Sequence, residues 1–273
     1  MNGLLFYDEI GAKRNRWFIE RLIDVAAECG CELRLVVTSD VDVALSFCEP
    51  RPNFAIVRTI SPMLSHSLEA LGIPTFNNAR TAEIANDKWL TYLYAEELGV
   101  PVMHTEEITE SAGKIHSLVY PFVVKAVDGH GGSEVFLVNN TEECKQILAK
   151  NPNKRFIAQE LSSEPGIDMR VYVLGGEVLK AVCRTSKTDF RSNFSLGGKA
   201  EGIALDEKEA KIVSLISTNL GADLIGIDFI RHNGEWILNE IEDVVGTRML
   251  YSLTDIDAAE VYVKHIISKI KQH

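Results

Sequence analysis

Three carboxylates occupy one short segment near the C-terminal end of the sequence, IGIDFIRHNGEWILNEIED. They are Asp228, Glu240 and Glu242. Asn233-Gly234 is a strong signal for a β-hairpin turn, so the runs on either side are expected to pair as antiparallel strands. Carboxylates on one face of such a hairpin repel each other unless a cation lies between them, and Mg²⁺ prefers oxygen ligands of this kind. The alternative is an acidic edge strand that faces solvent.

The length of the hairpin loop decides which side chains share a face. A two-residue loop, Asn233-Gly234, would turn Glu240 and Glu242 towards the apolar face, which is costly without partners. A three-residue loop, His232-Asn233-Gly234, would place Asp228 and both glutamates on the opposite face, with glycine at the left-handed position that such a loop favours. We therefore predict the three-residue loop. The apolar face would then hold Ile225, Ile227, Phe229, Ile237 and Ile241.

A glycine-rich loop lies between two apolar β runs, PFVVKAV and SEVFLV. Its residues Gly129, Gly131, Gly132 and Ser133 would let backbone N–H groups approach an anion and form a nest for phosphate oxygens. The spacing is not that of the P-loop, GxxxxGK[ST], which excludes a P-loop enzyme. The alternative is an ordinary glycine-rich turn. Lys125 lies inside the first run, and because a buried lysine is costly without an anionic partner, we predict a binding role for it.

The overall charge narrows the classes of partner. The 273 residues include 28 Lys and Arg against 39 Asp and Glu, a formal net charge of −11. This argues against nucleic acid and anionic membranes as partners, because both are negatively charged. No apolar run approaches the ~20 residues that span a bilayer, and the N-terminus does not read as a signal peptide. Five scattered cysteines without a CxxC pair predict reduced thiols and a cytoplasmic protein.

The elements that must position these residues fall into two parts. In the first third, apolar runs alternate with helical patterns, and the turn after the first run lacks a GxGxxG dinucleotide fingerprint. Strands separated by helices predict parallel βαβ units and a small doubly wound sheet. The predicted strands are Gly3–Tyr7, Glu32–Val37 and Asn53–Val57, and the predicted helices are Asn15–Cys29 and Pro62–Leu71.

In the rest of the chain the pattern changes. One helix is predicted over Ala79–Leu98, and from Tyr120 the apolar runs are separated by short turns, as in antiparallel sheets. Gly175-Gly176 predicts a tight hairpin, and Asp206 is expected to cap a helix. The other predicted elements are the strands Arg155–Leu161, Asp168–Leu174, Glu177–Thr185, Leu224–Ile230 and Glu235–Ile241, and a terminal amphipathic helix from about Thr254.

Five segments, taken in order, resemble the ATP-grasp superfamily and in particular its RimK-like branch of amino-acid ligases. They run from Asp87 to Gly246 and read NDKWLTYLYAEELGVPV, PFVVKAVDGHGGSEVFLV, IAQELSSEPGIDMRVYVLGGEVL, CRTSKTDFRSNFSLGG and the acidic hairpin. The resemblance implies an α/β ATP-grasp fold with an N-terminal, Rossmann-like doubly wound domain at 1–86. Two α+β subdomains that clamp ATP would follow, a central lid subdomain at 87–163 and a C-terminal subdomain at 164–273.

The same resemblance implies a role for each matched residue. The implied ATP-binding residues are Lys88, Lys125, Gly129, Gly131, Gly132, Ser133, Gln159, Glu160, Leu161 and Asp168; the implied catalytic residues are Arg170, Arg191 and Asn193; the implied metal ligands are Asp228, Glu240 and Glu242. One departure concerns the metal segment, which in the family usually reads Glu-x-Asn, then a small residue, proline and glycine. Here Glu242 replaces the asparagine and no proline precedes Gly246. The added carboxylate would bind a second metal ion more tightly or shift the metal preference.

The resemblance implies an ATP-dependent carboxylate–amine ligase that forms an amide or peptide bond through an acylphosphate. It would use ATP and Mg²⁺, with Mn²⁺ as an alternative, and join a small-molecule carboxylate to an amine, each an amino acid or peptide. A homo-oligomer, dimer or tetramer, is also implied. Two alternatives stay open. One is a small-molecule kinase on the same fold, and the other is a non-catalytic ATP-binding module, which the departure at Glu242 leaves possible.

Overall fold

The computed structural model describes residues 1–108, 117–132, 134–186 and 199–272. Its first sheet has the strand order β2-β1-β3-β4, and every pair in it is parallel. The strands are β1 (Asn2–Tyr7), β2 (Glu32–Val37), β3 (Phe54–Val57) and β4 (Thr75–Phe76); the helices between them are α1 (Glu9–Arg14), α2 (Arg16–Glu28), α3 (Val41–Ser46) and α4 (Pro62–Ala70). The predicted doubly wound parallel sheet is confirmed. Helical spacing in α2 buries one face, including Phe18, Leu22 and Val25, as the sequence indicates.

Two helices, rather than the single one predicted, follow the parallel sheet. They are α5 (Ala79–Ala85) and α6 (Lys88–Glu97). The chain leaves helical geometry at Asp87, whose carboxylate accepts a hydrogen bond from the backbone N–H of Leu90 and so caps α6. A capping aspartate needs an extended backbone, which a continuous helix cannot provide. This break makes Lys88 the first residue of α6.

The second sheet is antiparallel, with the order β5-β8-β6-β7. Its strands are β5 (Thr105–Ile108), β6 (Phe122–Ala126), β7 (Val135–Val138) and β8 (Phe156–Glu160), and α7 (Thr141–Lys150) connects β7 to β8. Every residue of β6 is buried, Lys125 among them. The sheet therefore carries a lysine in its interior, as the sequence predicts.

The third sheet has the order β11-β10-β9-β12-β13. Its strands are β9 (Ile167–Leu174), β10 (Glu177–Thr185), β11 (Lys199–Ile203), β12 (Leu224–His232) and β13 (Glu235–Glu242); the helices are α8 (Glu207–Leu220), α9 (Arg248–Leu253) and α10 (Ala258–Lys271). Asp206 and Glu209 form a capping box at the start of α8, and Gly221 ends it in the left-handed conformation. The hairpin at Gly175-Gly176 is present.

Packing joins the third sheet to both other parts. One core contains Leu5 and Leu22 of the first sheet region together with Tyr172 of β9 and Tyr262 of α10. A second core places Tyr94 of α6, with other residues of that helix, against the third sheet and α8. The segment between α6 and β5 also joins the third sheet through the backbone, since Leu238 N–H donates to Pro101 O at 3.0 Å. The parallel sheet and α6 therefore both rest on the sheet that carries the acidic hairpin.

The hairpin between β12 and β13 has a two-residue loop, so the predicted three-residue loop is wrong. His232 pairs with Glu235, and Asn233 and Gly234 both have positive φ, 51° and 78°, as a type I′ turn requires. Trp236 and Leu238 accordingly pack on the apolar face, which the predicted loop had assigned to Ile237.

A β-bulge then reverses the alternation of side chains along β13. Phe229 pairs with Leu238 but Asp228 pairs with Glu240, which leaves Asn239 without an opposite residue. One extra residue exchanges the faces of everything after it, so Ile241 joins the core and Glu240 leaves it. The carboxylates thus share a face as predicted, because of the bulge and not because of the loop.

No helix within the described ranges is both long enough and apolar enough to span a membrane.

Candidate active site

A cleft of about 890 Å³, part of it open to solvent, lies between the second and third sheets. The predicted site residues that line it are Lys88, Lys125, Gly129, Gly131, Gly132, Gln159, Glu160, Leu161, Asp168, Asp228, Glu240 and Glu242. Three further predicted residues, Ser133, Arg191 and Asn193, lie outside the described residues. Residues from α6, both sheets and the glycine loop thus meet around one space.

The three carboxylates of the hairpin meet on the cleft side of the third sheet. One oxygen from each of Asp228, Glu240 and Glu242 lies within 4.8 Å of the other two. Burial, opposed by the charge of Arg170 and reinforced by those of Asp228 and Glu240, raises the pKa of Glu242 to about 7. A divalent cation between the carboxylates would remove this repulsion, and the all-oxygen donor set suits Mg²⁺. The residues present therefore fit a hard divalent cation.

Two arginines support the carboxylates from within the sheet. Arg170 on β9 binds Asp228 with two hydrogen bonds, of 2.7 and 2.6 Å, and also donates to Glu242. Arg184 on β10 binds Asp168 through two hydrogen bonds and Asp228 through one of 2.9 Å. Burial opposes ionisation of Asp228, yet the charges and hydrogen bonds of the two arginines lower its pKa to about 2. Asp228 is therefore ionised at neutral pH.

Two residues of this network, Arg170 and Asp168, were predicted to act in catalysis and in ATP binding. Arg170 lies behind the carboxylates rather than among the residues that line the cleft. Asp168 does line the cleft, but both of its oxygens accept hydrogen bonds from Arg184. Within the described residues both contact charged neighbours in the sheet, and the catalytic role of Arg170 and the ATP-binding role of Asp168 stay predictions.

The two lysines on the other wall of the cleft have different partners. Lys88 donates to the carbonyl oxygen of Gly129 and lies 3.5 Å from Glu240, so α6 is joined to both the glycine loop and the hairpin. Lys125 donates to two amide oxygens, Gln159 Oε1 and Asn239 Oδ1, each at 2.7 Å. Burial is the main cause that lowers the pKa of Lys125 to about 8. Both lysines are close enough to the cleft to bind an anion in it.

Sequence reasoning missed Asn239, which lines the cleft and binds Lys125. It also gave no structural role to Arg184, although that residue was part of a matched segment. The sequence offers one signal for Asn239, a polar amide beside Glu240. Successive side chains of a regular strand point to opposite faces, so alternation does not predict that both residues face the cleft. Arg184 gave no local signal, because its partners lie on two other strands.

A sequence model described as the RimK-like ATP-grasp domain matches residues 85–266, about two thirds of the chain. The chain belongs to the RimK-like ATP-grasp family. The predicted resemblance is thereby confirmed, and so is the fold class. A crystal structure of D-alanine–D-alanine ligase from Bacillus anthracis, in complex with ATP, superimposes with a TM-score of 0.77 at 14% identity and covers 100% of this chain and 98% of that one.

Of two relatives similar to this chain, one is named as uncharacterized and the other as a ligase. The chain is 32% identical over 193 residues to the uncharacterized protein MG011 homolog of Mycoplasma pneumoniae, a match that covers 70% of this chain and 66% of the relative. It is 29% identical over 231 residues to the glutamate–LysW ligase ArgX of Sulfolobus acidocaldarius, covering 79% of this chain and 82% of the relative. The chain thus spans slightly less than two thirds of the Mycoplasma relative.

Proposed function

We propose that this chain is an ATP-dependent ligase that joins a carboxylate to an amine. The observation that carries the proposal is the cleft, in which Lys88 and Lys125 stand opposite the carboxylates of the acidic hairpin. Membership of the RimK-like family and the ligase names of relatives such as the glutamate–LysW ligase support it. A substrate carboxylate would attack the γ-phosphate of ATP and release ADP, and an amine would then displace phosphate from the resulting acylphosphate to form the amide.

The chain's own residues would act mainly by binding and positioning. Lys88, Lys125 and the amides of the glycine loop would hold the phosphates, because phosphoryl transfer needs charge neutralisation more than a protein nucleophile. Asp228, Glu240 and Glu242 would hold Mg²⁺, which supplies positive charge at the phosphate oxygens. Arg191 and Asn193 keep the catalytic roles that the resemblance gives them. Closure of the cleft would exclude water, which would otherwise hydrolyse the activated acid.

The order of the sheets supports the predicted division into domains at 1–86, 87–163 and 164–273. Each of the three stretches contains one sheet. The helix that begins at Lys88, however, packs on the third sheet, so α6 would move with the C-terminal subdomain when the lid subdomain opens. The substrates we propose are amino acids or peptides, with glutamate as the first amino acid to test, as carboxylate and as amine, because it stands in the relatives' names.

The proposal is tested by ADP release from Mg·ATP over a panel of amino acids and dipeptides, with hydroxylamine added in a parallel series. A ligase converts the activated acid into a hydroxamate when hydroxylamine replaces the amine. A small-molecule kinase would instead give a stable phosphoester, and a binding module would bind Mg·ATP without releasing ADP. Either of these two results would overturn the ligase proposal.

Site variants locate the activity in the cleft. Lys125→Ala and Glu240→Ala should each lower turnover by at least about 100-fold, as loss of one charge-stabilising group does in other enzymes. Matched controls are Lys208→Ala and Glu235→Ala, since these residues form an exposed ion pair of 2.9 Å between α8 and the turn end of the same hairpin. Full activity in Lys125→Ala or Glu240→Ala would show that the reaction occurs elsewhere.

A further inference from the structure

The ammonium group of Lys125 has an unusual set of neighbours for a buried cation. Its side chain lies in the interior of the second sheet with 9% exposure, and both of its hydrogen-bond acceptors are neutral amides, Gln159 and Asn239. Over residues 1–108, 117–132, 134–186 and 199–272 no carboxylate forms an ion pair with it. Its neighbour Lys88 has the ion pair with Glu240. An ammonium has three donors; the described part of the chain accepts two of them through amides, and the third has no acceptor there.

Each amide is fixed by its own surroundings. The amide N–H of Gln159 donates to the hydroxyl of Thr105 at 3.1 Å, which directs its oxygen towards Lys125. Asn239 is the extra residue of the β-bulge on β13. In a regular strand Asn239 and Glu240 would point to opposite faces, yet both line the cleft. The bulge thus lets two consecutive side chains serve the same space, one on the lysine and one in the carboxylate cluster.

We propose that Asn239 is a positioning residue which, together with Gln159, holds the ammonium of Lys125 so that its remaining N–H is available to an anion in the cleft. Only the identity of that anion, a phosphate of ATP, rests on the proposed function. The amide has the right chemistry for this task, because it accepts a hydrogen bond without cancelling the charge of the lysine. A carboxylate at the same place would form an ion pair and compete with the phosphate.

The charged groups around Lys125 set how sensitive this arrangement is. Burial and the like charge of Lys88 on α6 disfavour the ammonium form, whereas Glu240 on β13 favours it. The pKa of Lys125, about 8, is close enough to neutral pH that a change in one acceptor alters the charge of the lysine. Removing the acceptor at Asn239 should therefore lower the pKa of Lys125, and placing a negative charge there should raise it.

The test uses Asn239→Leu, which removes the acceptor at similar volume, and Asn239→Asp, which adds a charge at the same shape. The ¹⁵N-detected ammonium signal of Lys125 is followed against pH in the protein without nucleotide, with Lys125→Met to assign it. Relative to the wild type, the midpoint should fall by about one pH unit in Asn239→Leu and rise by a similar amount in Asn239→Asp. Asn219→Leu, on the exposed side of α8, is the control and should leave it unchanged.

A second readout measures the dissociation constant of Mg·ATP against pH. Asn239→Leu should weaken binding about tenfold at pH 7.5. As the pH is raised and Lys125 loses its proton, the affinity of this variant should begin to fall at a lower pH than that of the wild type. In Asn239→Asp the fall should move to higher pH, although the affinity near neutrality is also reduced. A residue that only supports the fold would not shift the two profiles in opposite directions.

Equal ammonium midpoints in the wild type and both variants would overturn the proposal. If Asn239→Leu does not fold, Gln159→Leu and the isosteric Asn239→Asp still decide it. Failure of the wild type to bind Mg·ATP would overturn the proposed ligase function, whereas the ammonium signal would still show whether Asn239 positions Lys125.

Discussion

The third-sheet wall of the cleft keeps its charges in a network of ion pairs, whereas the second-sheet wall keeps a lysine on neutral amides. Asp228 accepts hydrogen bonds from Arg170 and Arg184, which makes its ionised form the stable one. In the part of the chain that the structure describes, Lys125 forms no ion pair with a carboxylate, and burial lowers its pKa despite the charge of Glu240. Both groups are buried, so burial alone does not explain the difference.

The difference shows which wall is prepared for a ligand. Charges that satisfy each other form a rigid support, because the low dielectric constant makes each pair strong once both partners are buried. A charge held by neutral acceptors stays costly until an anion arrives. The second-sheet wall would therefore gain more free energy from a bound phosphate, while the third-sheet wall holds the carboxylates in place.

The largest expected effect comes from breaking the ion-pair network. Arg170→Leu leaves Asp228 without its two-bond partner, and loss of one member of a buried pair costs about 3–5 kcal/mol of unfolding free energy. Urea denaturation at pH 7 measures the loss. Arg155→Leu is the control, since Arg155 forms exposed ion pairs with Asp87 and Glu107 and should cost no more than about 1 kcal/mol. Equal losses in the two variants would contradict the contrast between the walls.

A smaller effect is expected from the pH dependence of the lysine wall. Folding lowers the pKa of Lys125 from 10.5 to about 8. Between these pH values the lysine is protonated in the unfolded chain but not in the folded protein. The free energy of unfolding should therefore rise with pH over this range, by about 3 kcal/mol in total. Lys125→Met should lack this rise. The comparison is made by denaturation of both proteins from pH 7.5 to 10.5. Parallel curves would mean that Lys125 carries no such penalty.

The carboxylate wall should show its own pH dependence at acid pH, where stability again rises with pH, but because ionisation of Asp228 is favoured in the folded protein. The pKa of Asp228 is lowered from 3.8 to about 2, so its contribution is complete above pH 4 and is lost as the pH falls towards 2, by about 2 kcal/mol. Asp228→Asn should lose less stability over this range than the wild type. Denaturation in EDTA keeps bound metal from masking the effect. An identical acid dependence in both proteins would refute the assignment.

The smallest effect separates the turn of the hairpin from its bulge. Gly234 has a φ of +78° with open space around the position of a Cβ, so Gly234→Ala introduces only backbone strain, of about 1 kcal/mol. The affinity for Mg·ATP should stay the same, because the bulge at Asn239 sets the faces of Glu240 and Glu242. A loss of affinity as large as that in Glu240→Ala would show that the turn, not the bulge, fixes the site.

Much of the fold could be predicted because its signals are local. Glycine and capping residues marked the ends of α8 and the turns of both hairpins in the third sheet, and the alternation of strands and helices predicted the parallel sheet. The short elements α1, α3, α9, β4, β5 and β11 were not predicted. Strands as short as β4, which has two residues, are too brief to establish a period, and their pairing depends on neighbours distant in the chain.

The candidate site was predicted in its membership more than in its contacts. Lys88, Lys125, the glycines and the three carboxylates line one cleft, yet the reason given for the shared face of the carboxylates was wrong. The alternation of apolar and polar residues predicts the two faces of a strand. It does not predict a bulge, after which the side chains change faces, because a bulge is specified by the packing on both sides of it.

The sequence by itself determined which residue types are available, where turns and helix ends fall, and that the chain resembles an ATP-grasp protein. Only the tertiary structure decided that Arg170 and Arg184 support Asp228, that Asn239 binds Lys125, and that Glu240 faces the cleft. Turns and caps depend on neighbours a few residues apart, so local chemistry specifies them. The contacts of the cleft join residues 16 to 114 positions apart, and such contacts form only when the sheets have packed and made their charges and hydrogen bonds mutually dependent.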